Sequence, residues 1–90
     1  MPDFQSSTFI ITGASSGIGE ELARQLAKKG YTLGLIARRK DRLEKLAHEL
    51  SIHPGLIYLK AADLSNEEES TRAYKELSDK LGSLDGIILN

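Results

Sequence analysis

The chain has 90 residues, a length that corresponds to one small domain. With 40% hydrophobic residues, 28% charged residues and a formal net charge of −1, it has the composition of a soluble globular protein and gives no indication of a nucleic-acid partner. The lack of cysteine excludes disulfides and thiolate metal sites, and no apolar run predicts a membrane span. Because the N-terminal residues do not resemble a signal peptide, we expect a cytoplasmic protein.

The first half of the chain alternates between strand and helix patterns. Residues 7–12 predict a short strand, and apolar residues at helical spacing from Ile18 onward predict a helix with one buried stripe. Gly30 follows that helix and suits a left-handed helix end. Residues 32–37 form a nearly continuous apolar run, typical of a strand covered on both faces, and residues 41–50 predict a second helix.

The second half repeats this alternation. Residues 56–60 predict a third strand, and residues 85–90 predict a fourth. Between them, Ser65 and Glu68 match a capping box that opens a third helix. The order βαβαβαβ predicts an α/β fold with a parallel sheet and right-handed crossovers.

A glycine-rich loop joins the first strand to the first helix. Its spacing is Gly13-x-x-x-Gly17-x-Gly19, which differs from the Gly-x-Gly-x-x-Gly of the standard dinucleotide fingerprint. We expect Gly13 to permit a sharp exit from the strand, Gly17 to let a pyrophosphate approach the backbone, and Gly19 to bring helix and sheet together. Backbone N–H groups and the helix dipole favour an anion at such a place, so the loop predicts a nucleotide site, with a structural turn as the alternative.

The same loop also matches a catalytic motif. Residues 13–17 fit Gly-x-Ser-x-Gly, the nucleophile elbow of α/β-hydrolases, with Ser15 as the nucleophile. A catalytic triad needs a histidine, and the chain has only His48 and His53. We expect both to be solvated, the first on the exposed face of the second helix. A Walker-type loop is excluded because no Gly-Lys-Ser/Thr follows Gly13 at the required distance.

Basic residues follow the second strand, where dinucleotide folds contact the adenosine ribose. Residues 38–45 include five basic and two acidic side chains, beginning with Arg38 and Arg39. An arginine fork binds phosphate oxygens in a bidentate manner, so these residues predict NADP(H) rather than NAD(H). The alternative is a solvated start of the second helix, which is more credible for Arg42 and Lys45 than for Arg38.

Asp63 and Leu64 follow the third strand. The Asp63 carboxylate can accept a hydrogen bond from an adenine amino group, or it can serve only the start of the third helix. These residues alone do not decide between the two roles.

Taken together, four motifs resemble those of the short-chain dehydrogenase/reductase family. They are Thr12-Gly13-Ala14-Ser15-Ser16-Gly17-Ile18-Gly19, Ala37-Arg38, Asp63-Leu64 and Ile87-Ile88-Leu89-Asn90. The resemblance implies a Rossmann-type doubly wound sheet, here with four strands, that carries NAD(P) at the carboxyl ends of its strands. The cofactor-binding residues that it implies are Gly13, Ser15, Ser16, Gly17, Ile18, Gly19, Arg38, Arg39, Asp63, Leu64 and Asn90.

The resemblance also divides these residues by role. The glycine loop would line the pyrophosphate and ribose, and Arg38 with Arg39 would contact the 2′-phosphate. Asp63 and Leu64 would contact the adenine, which favours the first of the two roles for Asp63. Asn90 would lie near the ribose of the cofactor.

The catalytic motif of the family is absent from this chain. None of the three tyrosines, Tyr31, Tyr58 and Tyr74, is followed four positions later by the lysine of a Tyr-x-x-x-Lys pair. We therefore predict no catalytic residue. Residues 1–90 are expected to be the N-terminal NAD(P)-binding part of one Rossmann-type domain, truncated before its catalytic part and inactive alone.

The complete protein would transfer a hydride between nicotinamide and a small-molecule carbonyl or alcohol substrate, and a homo-oligomer is compatible with the resemblance. The alternative is a non-enzymatic nucleotide-binding or interaction module. In that case the open edge of the fourth strand would be its means of pairing with another chain.

Overall fold

The structure is a computed structural model that describes residues 7–90. Its elements are β1 (Thr8–Thr12), α1 (Gly17–Lys28), β2 (Thr32–Ala37), α2 (Lys40–Leu50), β3 (Ile57–Ala61), α3 (Glu67–Leu81) and β4 (Gly86–Ile88). The four described strands form one sheet of order β3-β2-β1-β4, and every pairing in it is parallel. The predicted α/β fold with a doubly wound parallel sheet is confirmed.

The strand order places a topological switch point between β1 and β4. The chain proceeds outward from β1 through β2 to β3 and then returns to add β4 on the other side of β1. In open parallel sheets the crossovers diverge at such a point and leave a crevice beyond the carboxyl ends of the strands. The glycine loop leaves β1 at this position.

The central strands β1 and β2 are buried on both faces, as the apolar run of β2 predicted. Ile11 and Leu35 belong to a core cluster that the sheet forms with α1 and α2. Their chain neighbours Ile10 and Ile36 belong to a second cluster with α3 on the opposite face. Successive side chains of a strand point to opposite faces, and each fully buried isoleucine or leucine contributes about 1.5–3 kcal/mol.

The stripe predicted to begin at Ile18 is wrong at that residue, whose side chain is 72% exposed. The buried residues of α1 are Gly19, Ala23 and Ala27, each four positions from the next. Ile18 precedes Gly19 by one position and is therefore rotated about 100° from the buried face. Gly30, with φ of 86°, adopts the predicted left-handed conformation after the helix.

The predicted capping box is also wrong, by one residue. The N-cap of α3 is Asn66, whose Oδ1 accepts a hydrogen bond from the Glu69 backbone N–H at 3.0 Å. Ser65 instead donates to Asp63 Oδ1, with its N–H at 3.0 Å and its hydroxyl at 2.6 Å. Because Asp63 and Ser65 form this turn, the helix starts one residue later than predicted.

Candidate cofactor site

A cleft of about 460 Å³ lies at the carboxyl edge of the sheet, beyond the ends of all four described strands. It is lined by Gly13, Ser15, Ser16, Ala37, Arg38, Arg39, Arg42, Ala62, Asp63, Leu64, Ser65 and Asn90. The cleft thus brings together all the predicted site residues except Gly17, Ile18 and Gly19, which belong to the first turn of α1.

The three glycines of the loop meet different surroundings. Gly13 has a positive φ of 63° where the chain leaves β1. A Cβ on Gly19 would overlap the Gly13 carbonyl oxygen and lie 2.7 Å from Asn90 Nδ2. A Cβ on Gly17 would meet no atom of the described chain within 4 Å apart from its chain neighbours and the backbone of its own helix. Gly13 and Gly19 are therefore required by the fold of the loop, whereas Gly17 borders open space.

Ser16 is the N-cap residue of α1, but its side chain does not cap the helix. Its hydroxyl donates to the Gly13 carbonyl oxygen at 3.1 Å, and its backbone N–H donates to the same oxygen at 3.2 Å. The first N–H groups of α1 therefore receive no acceptor from Ser16. An uncapped N-terminus carries the positive end of the helix dipole and favours an anion.

Asn90 connects the end of β4 to the glycine loop. Its Nδ2 donates to the Gly13 carbonyl oxygen at 3.1 Å, and its backbone N–H donates to Thr12 Oγ1 at 3.0 Å. The Thr12 hydroxyl in turn donates to the Ile88 carbonyl oxygen at 3.3 Å. The family resemblance implies only a place beside the ribose for Asn90, whereas these contacts show that Asn90 also holds the loop against the sheet.

Three arginines face the cleft, and they differ in their partners. Arg39 donates from Nε and Nη2 to the two carboxylate oxygens of Asp41, at 3.3 Å each. This contact holds the pKa of Asp41 below its ordinary value. Arg38 is exposed, and within residues 7–90 neither Arg38 nor Arg42 has a side-chain hydrogen bond or ion pair. These two guanidinium groups are free to bind an anionic ligand.

The pKa of the Asp63 carboxyl lies below its ordinary value. Hydrogen bonds from the Ser65 hydroxyl and the Ser65 backbone N–H lower its pKa, and the positive charge of Arg38 lowers it further. Asp63 therefore serves the turn before α3 and also faces the cleft. A carboxylate has about four acceptor positions, so the contacts with Ser65 leave room for a ligand donor.

Ion pairs fix α1 relative to α2. The Arg24 guanidinium on α1 binds Glu20 on its own helix and Glu49 on α2. The two carboxylates raise the pKa of Arg24. This contact joins the helix that follows the glycine loop to the helix that follows Arg39.

The structure brings no histidine to Ser15. Neither depression that Ser15 borders in the described chain is lined by a histidine. His48 is exposed on α2, as expected, while His53 is half-buried and lines a different depression. Residues 7–90 therefore supply no histidine as the general base of a nucleophile elbow. In the same range, no group of histidine, aspartate and glutamate side chains could hold a metal ion, and no helix is long and apolar enough to cross a membrane.

Four lining residues were missing from the predicted site: Ala37, Arg42, Ala62 and Ser65. Arg42 could have been found, because it follows Arg39 by three positions and residues at that spacing share a helix face. Ser65 could not, because its place depends on the turn that it forms with Asp63.

A sequence model of the family described as short chain dehydrogenase matches residues 7–90. The chain belongs to the short-chain dehydrogenase family. It is 43% identical over 83 residues to an uncharacterized oxidoreductase of Mycobacterium tuberculosis, a match that covers 90% of this chain and 33% of the relative. It is 45% identical over 82 residues to 11-beta-hydroxysteroid dehydrogenase-like 2 of Arabidopsis thaliana, with 90% and 27% covered.

A solved structure of a dehydrogenase shares this fold. The alcohol dehydrogenase of the archaeon Thermococcus sibiricus, in complex with 5-hydroxy-NADP, superposes with a TM-score of 0.85 at 41% identity. The match covers 90% of this chain and 35% of that one. The chain thus spans about a third of the length of these relatives.

Proposed function

We propose that this short-chain dehydrogenase chain binds a nicotinamide dinucleotide in the cleft, with NADP(H) preferred over NAD(H). It would be the N-terminal cofactor-binding part of an oxidoreductase that interconverts carbonyl and alcohol groups. One observation carries the proposal: the cleft joins the glycine loop, three arginines and Asp63 at the carboxyl ends of successive strands. The 5-hydroxy-NADP complex of the Thermococcus sibiricus relative supports a nicotinamide dinucleotide as the ligand.

The glycine loop fits a pyrophosphate. Gly17 has no atom of the described chain within 4 Å of its missing Cβ, so a ligand can approach the backbone there. The Ser16 hydroxyl is engaged with Gly13 and leaves the N-terminus of α1 open to an anion. Ile18 and Gly19 belong to the same first helical turn, and Gly13 and Ser15 border the cleft beside it.

The arginines fit a 2′-phosphate. Arg38 has no side-chain partner within the described chain and follows β2, the strand beside which the adenosine ribose binds in such folds. Arg42 adds a second unpaired guanidinium in the same cleft. Arg39 can also bind the phosphate if its guanidinium group donates to the phosphate and to Asp41 at the same time. Positive charge at this place favours the cofactor with the additional phosphate.

Asp63 and Leu64 would form the adenine end of the site. Both line the cleft, and the ionised Asp63 carboxylate can accept a hydrogen bond from the adenine amino group. The half-buried Leu64 provides an apolar contact beside it. Asn90 would hold the loop near the ribose through its contact with Gly13.

The bound nicotinamide would supply the hydride chemistry. The contribution of this chain is to bind and orient the dinucleotide, because its sequence has no Tyr-x-x-x-Lys pair to donate or accept a proton. The 90-residue chain by itself is therefore expected to bind the cofactor without reducing a carbonyl substrate.

Titration calorimetry with NADPH and NADH tests the proposal. The parent chain is expected to bind NADPH more tightly than NADH. Arg38→Ala is expected to lower the ratio of the two affinities about tenfold, the effect of one charge-assisted hydrogen bond. Arg72→Ala is the matched control, since it removes an exposed arginine of α3 outside the cleft. Equal affinity of the parent for both cofactors contradicts the NADP(H) preference, and binding of neither contradicts a cofactor role.

One observation favours the second candidate, an interaction module. Within the described residues β4 pairs only with β1, and the side chains of Ile87 and Leu89 are exposed. An open strand edge with apolar side chains is a site for pairing with another chain. This candidate predicts concentration-dependent association in analytical ultracentrifugation that NADPH does not alter.

A further inference from the structure

We infer that Glu69 is a positioning residue for the adenine end of the cleft; this inference rests on the proposed function. Glu69 lies in the first turn of α3 and does not itself line the cleft. Its Oε1 accepts a hydrogen bond from the Asp63 backbone N–H at 2.9 Å. Through this contact the carboxylate sets the place of Asp63 and Leu64, which do line the cleft.

Among the three successive glutamates at the start of α3, Glu69 is distinct. It is half-buried, whereas Glu67 and Glu68 are exposed. The side chains of Glu67 and Glu68 have no hydrogen bond or ion pair within residues 7–90. The Glu69 backbone N–H donates to Oδ1 of the N-cap residue Asn66 at 3.0 Å, which fixes the backbone of Glu69. From this position the Glu69 side chain extends to the Asp63 N–H.

Most backbone N–H groups of the segment between β3 and α3 donate hydrogen bonds within the described chain. The Ala62 N–H donates to the Ala37 carbonyl oxygen at 2.9 Å, which aligns the end of β3 with β2. The Asn66 N–H donates to the Asp63 carbonyl oxygen at 3.1 Å, and Ser65 donates to the Asp63 carboxylate. Within residues 7–90, the acceptor of the Asp63 N–H is Glu69 alone. Loss of this acceptor would leave a partly buried donor without its partner and let the Asp63 peptide rotate.

Two conservative variants distinguish the length of the Glu69 side chain from its charge. Glu69→Gln keeps an acceptor oxygen at the same distance along the side chain but removes the charge. Glu69→Asp keeps the charge that favours the N-terminus of a helix but shortens the side chain by one methylene. If Glu69 positions Asp63 through its hydrogen bond, Glu69→Gln behaves as the parent and Glu69→Asp does not. A purely electrostatic role predicts the opposite result.

The decisive measurement compares two dinucleotides that differ only at the adenine. NADP⁺ carries the 6-amino group that is proposed to donate a hydrogen bond to the Asp63 carboxylate, and nicotinamide hypoxanthine dinucleotide phosphate lacks this group. In calorimetry of the 90-residue chain, the parent and Glu69→Gln are expected to prefer NADP⁺ about tenfold or more, as for one hydrogen bond to a charged group. Glu69→Asp and Glu69→Ala are expected to bind the two dinucleotides equally.

A general loss of stability would weaken the binding of both dinucleotides alike. The ratio of the two affinities therefore reports the position of Asp63 independently of the stability of the fold. Glu68→Ala is the matched control, because it removes the neighbouring exposed carboxylate, and its ratio is expected to equal that of the parent. An unchanged ratio in Glu69→Asp, or an equal loss in Glu68→Ala, overturns the inference. A parent that binds neither dinucleotide contradicts the proposed function itself.

Amide exchange gives a readout that needs no ligand. The Asp63 amide proton is expected to be protected in the parent and in Glu69→Gln, and to exchange at least about tenfold faster in Glu69→Asp. This comparison also holds if Glu69→Ala fails to fold, because the other two variants retain a side chain suited to the helix start. Equal protection of Asp63 in the parent and Glu69→Asp overturns the inference.

Discussion

The side-chain amide of Asn90 donates to the carbonyl oxygen of Gly13 at 3.1 Å, across 77 positions of the chain. The same oxygen would be overlapped by any Cβ at Gly19. The end of β4, the exit from β1 and the start of α1 therefore meet at one carbonyl group. The conformation of the glycine loop depends on a residue that lies at the other end of the sequence.

Asn90→Ala is expected to lower the free energy of unfolding by about 1 kcal/mol, the usual net contribution of one hydrogen bond. The cost stays modest because Ser16 still donates to the Gly13 carbonyl oxygen. Urea denaturation measures the change. Leu89→Ala is the control, because its exposed side chain is expected to contribute less than about 0.5 kcal/mol. Equal effects of the two substitutions would contradict the role of Asn90.

Gly19→Ala and Gly17→Ala are expected to affect different properties. The Cβ of Gly19→Ala would overlap the Gly13 carbonyl oxygen, so we expect a loss of about 3 kcal/mol in stability. The Cβ of Gly17→Ala meets no atom of the described chain, although the positive φ of 21° adds a cost of about 1 kcal/mol. Gly17→Ala should therefore fold but bind NADPH weakly.

Thermal unfolding together with calorimetry separates these two effects. If Gly17→Ala destabilises the chain as much as Gly19→Ala, the open space at Gly17 is not a ligand site. If Gly17→Ala is stable and binds NADPH as the parent does, the pyrophosphate does not approach the backbone there.

Arg39→Ala is expected to reduce the NADPH preference less than Arg38→Ala does. Arg39 is engaged with both carboxylate oxygens of Asp41, whereas Arg38 has no side-chain partner within the described residues. Asp41→Asn would release Arg39 and remove a negative charge, and should raise NADPH affinity about two- to fivefold, the range of an exposed ion pair. Unchanged affinity for NADPH in Asp41→Asn would show that Arg39 does not contact the phosphate.

The pKa of Asp63 in the folded chain is expected to lie below the ordinary value of about 3.9. A lowered pKa means that the ionised carboxylate is favoured by folding. Its contribution to stability is therefore present above the ordinary pKa and is lost as the pH falls through the lower folded value. Acidification should release the turn that Asp63 forms with Ser65.

Carboxyl NMR titration checks this prediction with an internal control. Ser65→Ala removes the hydroxyl that contributes most to the shift and should raise the pKa of Asp63. The pKa of Asp41, lowered by Arg39, should not move in the same variant. A shift of both groups would point to a general loss of structure.

Much of the fold follows from local patterns in the sequence. Leu43, Leu46 and Leu50 recur at helical spacing within the predicted second helix, and all three are buried on α2. The continuous apolar run of β2 predicted a strand covered on both faces, which the two core clusters confirm. These features can be predicted from the sequence because helical and strand periodicities depend only on residues close in the chain.

At the ends of the helices, local patterns predicted two features incorrectly. Ile18 fits an apolar period, yet its side chain is exposed, since the buried face of α1 is defined by the close approach of Gly19 to Gly13. Ser65 fits a capping box, but its hydroxyl is taken by Asp63, and Asn66 caps the helix instead. In both cases a competing contact outweighed a pattern that is correct for an isolated helix.

The sequence by itself determined the order of the elements, the parallel α/β class and most of the residues that gather at the carboxyl edge. It could do so because strand ends in a parallel sheet share one edge, whatever the details of packing. Only the tertiary structure decided which arginines are unpaired, how Asn90 holds the loop and how Glu69 holds Asp63. Those contacts depend on side-chain distances between separate elements, and such distances exist only after the sheet has brought the elements together.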